Sequence, residues 1–101
     1  MILYNVTVSV DLEIENEWVK WMKEIHIPEM MKTGCFNENK FLKLLNERPD
    51  VEGSTFAVQF FAKSSALIDE YLDKHATDLR QRHIDRFGNK TAAFRTLLEE
   101  I

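Results

Sequence analysis

Among the side chains able to move a proton near neutral pH, His26 has the most suggestive setting. It lies in the stretch Trp18 to Phe36, WVKWMKEIHIPEMMKTGCF, between an aromatic helix face and a proline. An imidazole there can act as a general acid or base. The hydroxyl of Tyr4 would complete a minimal proton-transfer pair if it faced the same space. Trp18, Trp21, Tyr71 and His75 are the side chains expected to bind a ligand around that pair. Each has a plainer reading: a histidine near a helix C-terminus caps carbonyls, and tryptophans at helical spacing form core.

Asn5, Gln59 and Arg95 form a rival cluster, three polar side chains expected on adjacent strands, where the guanidinium would grip a carboxylate with two parallel hydrogen bonds. Its commoner counterpart is a hydrogen-bond network in a dimer interface. His75 and His83 lie eight residues apart, about two helical turns, too far along one straight helix for a single metal ion. No metal site and no cofactor are expected. Cys35 lacks a basic sequence neighbour, so it reads as a buried, inert thiol. No pair of carboxylates stands out for acid and base work.

The elements that must hold these residues follow from periodicity. Ile2, Tyr4, Val6, Val8 and Val10 alternate with Leu3, Asn5, Thr7 and Ser9, which predicts a first strand over residues 2–10. Asp11 is placed to cap a helix beginning near residue 12 or 13, whose apolar face is Ile14, Trp18, Trp21, Met22 and Ile25. Pro28 predicts a kink just past His26, and Gly34 a stop. A second strand follows Cys35, with Phe36, Leu42 and Leu44 on one face. Turn residues from Arg48 to Ser54 lead into STFAVQFFA, where Phe56, Val58 and Phe60 share a face. Ser64 or Ser65 opens a second helix carrying Leu67, Ile68, Tyr71, Leu72, Leu79 and His83, dented at His75-Ala76-Thr77 and stopped by Gly88-Asn89. A last strand covers residues 91–100, with Phe94, Thr96 and Leu98 on one side and Arg95 and Leu97 on the other.

This order, βαββαβ, implies an α+β, ferredoxin-like domain over residues 1–101, with a four-stranded antiparallel sheet of order 4-1-3-2 and helices on one face. The uncovered face is expected to present Asn5, Thr7, Ala57, Gln59, Phe61, Arg95 and Leu97. Phe61 and Leu97 are poorly placed in water, so Asn5, Gln59, Phe61, Arg95 and Leu97 are the expected contacts of a homodimer paired through this face.

Composition bounds the rest. The chain has 101 residues, the size of one domain, and 45% hydrophobic residues suffice for a modest core. A net charge of −4 argues against tracking nucleic-acid phosphates. No apolar run reaches the ~18 residues that span a bilayer. With one cysteine and no evident leader, a soluble cytoplasmic protein is the expectation.

The YNVTVSV opening, the Trp18-x-x-Trp21 helix, His26-Ile27-Pro28 and the Gly34 to Phe36 lead-in to the second strand resemble the dimeric α/β-barrel superfamily. IHIPEMMKTGCF, ERPDVEGSTFAVQFF and HIDRFGNKTAAFRTLLE are most similar to a family of short bacterial proteins of unassigned function. More distantly, the chain is similar to antibiotic-biosynthesis-type monooxygenases and muconolactone-isomerase-like proteins. Those pair two sheets into a barrel and bind substrates between sheet and helices. The resemblance implies a fold and a pocket location, and it carries no catalytic motif residue by residue. The first functional reading is therefore an uncharacterised, non-catalytic homodimeric module. The alternative is a small-molecule binder or cofactor-independent enzyme, monooxygenase- or isomerase-like, with a pocket around His26; whether any reaction is catalysed is left open.

Overall fold

The alternation of the first nine apolar and polar residues becomes the strand at the heart of the sheet. In the computed structural model, which describes residues 1–101, β1 (Ile2–Val10) pairs antiparallel with β3 (Ser54–Ala62) on one side and β4 (Thr91–Glu99) on the other. The short β2 (Glu38–Lys43) flanks β3. The order β2-β3-β1-β4 is the expected 4-1-3-2 read from the opposite edge. Four helices, α1 (Glu15–Trp21), α2 (Ile27–Lys32), α3 (Ser65–Lys74) and α4 (Ala76–Phe87), complete a mixed α+β architecture compatible with the ferredoxin-like split βαβ arrangement. Tyr4, Val8 and Val10 of β1, with Phe56, Val58 and Phe60 of β3, meet Trp18, Met22, Met30 and Tyr71 of the helices in one contiguous core.

The first helical stretch departs from the sequence expectation in a way that matters for His26. Asp11 makes no side-chain cap; its carbonyl accepts the Ile14 amide at 3.2 Å, and a tight turn over Leu12–Ile14 leads into α1. Beyond Trp18 and Met22, an α-helix would bring Ile25 down onto the sheet. Met22–His26 instead forms a wide π turn, closed by the Ile27 amide donating to the Met22 carbonyl five residues back. Pro28 is the physical cause we assign: it has no N–H to donate to the Glu24 carbonyl, and its ring crowds that carbonyl. The extra residue rotates the buried stripe by one position. Ile25 is 43% exposed, Ile27 only 8%, and His26 turns towards the sheet.

Two other expectations fail by parity. Phe36 is buried but precedes β2, so the strand that follows is out of phase with it: Phe41 packs against the core, while Leu42 and Leu44 are exposed. In β4, Val6 pairs with Arg95 and Tyr4 with Leu97, whereas Thr7 pairs with Phe94 and Leu3 with Leu98. Cross-strand partners point to the same face. Arg95 and Leu97 therefore lie on the helix side, and Phe94, Thr96 and Leu98 on the open side. The sequence TAAFRTLLE is apolar on both parities, which is why its alternation does not fix its phase.

The second helix divides as expected at His75, whose backbone (φ −126°, ψ −32°) leaves the helical region between α3 and α4. Leu72, assigned to the buried face, is exposed. Ser64 stands at the start of α3 without a side-chain cap. The β2–β3 connection closes with Gly53 at φ +93°, where a Cβ would collide with the Val10 carbonyl.

Candidate functional site

The helices cover β1, β2 and β3 and leave the helix side of β4 uncovered, since Ala93, Arg95 and Leu97 are all exposed there. A cleft opens at that margin. Its enclosed part measures about 50 Å³, room for a few water molecules or one small polar group. Val6, Val8, Val58 and Met22 form its apolar wall. Its polar lining comes from five elements: Tyr4 from β1, His26 from the π turn, Tyr71 from α3, Arg80 and His83 from α4, and Arg95 from β4.

These groups are mutually oriented. Trp21 stacks on His26 with ring centroids 5.1 Å apart and planes 20° from parallel, and His83 stands 6.1 Å from His26. Trp18 Nε1 donates to His83 Nε2 at 2.9 Å. An indole N–H only donates, so His83 Nε2 is unprotonated and its proton resides on Nδ1. Arg80 Nη2 donates to the Tyr4 hydroxyl at 2.8 Å. Its Nε is buried with no partner.

Electrostatics keep both imidazoles neutral. Burial, then the neighbouring His83, then Arg95 push His26 down to about 4 from an ordinary 6.5. Burial and Arg95 lower His83 as well. Burial chiefly, with Tyr4 beside it, pushes the Tyr71 hydroxyl up, against the pull of Arg80 and Arg95. No carboxylate lines the cleft. Arg80 and Arg95 form no ion pair, whereas Arg48, Arg82 and Arg86 are matched to Asp50, to Glu29 and Asp78, and to Glu17.

The sequence-derived candidates divide accordingly. Tyr4, His26 and Tyr71 come together at the cleft, with Trp21 backing His26 rather than lining the space. Trp18 is fully buried between Phe41 and Phe56 and reaches the site only through its bond to His83. His75 lies elsewhere, in a surface depression with Glu29, Lys74 and Arg82. His26 does not end a helix, because α2 continues directly from it, so the capping role has no place in the structure. The Asn5, Gln59 and Arg95 cluster is split by the sheet: Gln59 Nε2 donates to Asn5 Oδ1 at 3.3 Å on the open face, while Arg95 is on the other. Cys35 is buried, with its thiol pushed up by burial and donating to Glu70 Oε2 at 3.3 Å.

Arg80 is the residue that sequence reasoning missed. A signal was present: Ala76, Arg80, His83 and Phe87 fall on one helical stripe, and Arg80 has no acid three or four residues away, whereas Arg82 has Asp78.

The family model of a domain of unknown function, DUF4286, matches residues 1–101. The chain belongs to that family. No curated protein matches it at the sequence level. Solved structures similar in fold include the following two. HapK from Hahella chejuensis superposes with a TM-score of 0.71 at 8% identity, covering 100% of this chain and 93% of that one. An ethyl tert-butyl ether d (ethd) family protein from Bacillus halodurans c-125 gives 0.68 at 11% identity, covering 100% of both chains. At such identities the likeness extends to the fold alone. No helix is long and apolar enough to cross a membrane.

Proposed function

We propose that this chain is a small-molecule-binding module whose site is the cleft between α4 and β4. The observation that carries this reading is the inward turn of His26. A π turn costs regular hydrogen bonding, such turns recur at functional sites, and here it aims an imidazole into a cleft that the surrounding apolar side chains do not fill. Binding rather than a reaction is assigned, because His26 and His83 have no carboxylate to orient or recharge them. Ala93 at the mouth provides the test. Small aromatic and aliphatic fragments, followed by amide NMR shifts, are expected to perturb residues lining the cleft, and Ala93→Trp is expected to plug it and abolish those shifts in a folded protein. Fragment binding unaffected by the plug would contradict the assignment.

A second reading concerns assembly. We infer that two copies pair through their open sheet faces, in the manner of the dimeric α/β-barrel superfamily. Phe94 at 64% and Leu98 at 48% exposure lie on that face, with Leu3 and Phe61 beside them. Between these apolar groups, Asn5 and Gln59 offer amides that both donate and accept, the self-complementarity a twofold interface needs. The corrected register keeps Asn5, Gln59 and Phe61 as contacts and replaces Arg95 and Leu97 with Phe94 and Leu98. A cytoplasmic site of action suits the lone thiol of Cys35.

A further inference from the structure

We propose that the ligand of this cleft is a small organic carboxylate, held by its charged head between Arg80 and Arg95 with its apolar body against Val6, Val8 and Met22. The inference rests on the reading of the cleft as a ligand site and adds the chemical class. It follows from an inventory of donors and acceptors. Arg80 presents a buried Nε–H without a partner, and a buried unpaired donor of a charged group is costly to leave unmatched. Arg95 carries a second unmatched guanidinium, and both imidazoles sense its charge. His83, with Nε2 occupied by Trp18, retains only an N–H to offer. The Tyr4 oxygen already accepts from Arg80 and is left with its own proton to donate. Neutral His26 and the Tyr71 oxygen offer the remaining side-chain acceptors, both uncharged, so the lining carries an excess of donors and two positive charges with no carboxylate to balance them.

The other three arginines of the chain show that this is specific to the cleft, since each has found an acidic partner on the surface. The planar fork of a guanidinium matches a carboxylate with two parallel bonds. The narrow inner space of about 50 Å³ suits such a head group, and the body of the ligand is placed along the apolar wall toward the uncovered side of β4.

Benzoate, benzamide and inorganic phosphate at matched ionic strength separate the possibilities in amide NMR titrations of the full chain at neutral pH. Benzoate is expected to shift the signals of the cleft residues saturably, with benzamide weaker by about tenfold, the worth of a charge-assisted hydrogen-bond pair. Arg80→Gln is expected to weaken benzoate by a similar factor. Arg95→Gln, at an exposed position that does not support the core, should do the same while the remaining spectrum is unchanged. Benzoate and benzamide binding equally would overturn the carboxylate class and leave the cleft a binding site. Phosphate outcompeting benzoate would replace a carboxylate with an inorganic anion and also overturn the class. No shift from any probe up to tens of millimolar would overturn the class and the binding reading together.

Discussion

Trp18, Phe41 and Phe56 fill the helix–sheet layer over β2 and β3, with ring centroids 4.9 to 5.7 Å apart. The same layer over β1 and β4 holds imidazoles and guanidiniums around an enclosed space of about 50 Å³. One half is packed as a core should be, and Glu15 at its edge is satisfied, accepting from Ser54 and, at 2.9 Å, from Lys43, bonds that hold its carboxyl below the usual range. The other half keeps an unpaired buried donor and two neutral histidines. A fold selected for stability alone would place aliphatic side chains there, so the contrast marks where polar groups replace close packing and where the proposed ligand site should be sought.

The contrast can be broken most severely at Trp18, which is 0% exposed and joins the halves by packing against Phe56 while donating to His83. Trp18→Ala is expected to lower unfolding free energy by about 3–5 kcal/mol in urea titrations. A loss below ~1 kcal/mol would show that the packed half is not the core.

The cleft half should show itself next as a dependence on pH. His26 titrates at about 4 in the folded chain and at its ordinary 6.5 when unfolded. Between those values the unfolded chain takes up a proton that the folded chain refuses, so stability is full above pH 6.5 and falls as pH drops toward 4. The loss is on the order of 3 kcal/mol across that window, and His83 adds to it in the same direction. His26→Gln should remove the His26 share, as read by denaturation midpoints at each pH.

The open face gives the mildest test for stability and a clear one for assembly. Phe61→Glu is expected to convert a dimer into a monomer in sedimentation experiments, with the monomer still folded. Leu97→Glu, on the helix side of β4, should leave the dimer intact. Equal effects of the two substitutions would mean that the faces of β4 do not divide the interface from the cleft.

How much of this was legible in the sequence depended on the strength of local pattern. The alternation in Ile2–Val10 and in STFAVQFFA fixed the two central strands, and with them the sheet order, because each has one strongly apolar parity. The turn at Gly34 and the break at His75 were likewise readable from residue type. The phase of β4 was not, since an edge strand uncovered on its helix side needs no strict alternation. The π turn was half legible: Pro28 signalled a disturbance, but whether it would end, bend or widen the helix depends on what Met22 and Ile27 gain by reaching the core. These two ambiguities displaced Arg95 to the wrong face and gave His26 a capping role. The cleft could not be assembled from sequence because its two arginines come from α4 and from the strand whose phase was undetermined.

The titration of the His26 imidazole by proton–carbon NMR tests the central claim most directly, because it depends at once on burial, on His83 and on Arg95. A midpoint near 4, moving upward in Arg95→Gln, is the expected result. A midpoint at the ordinary 6.5, unmoved by that substitution, would place His26 in solvent and leave the cleft without its defining residue.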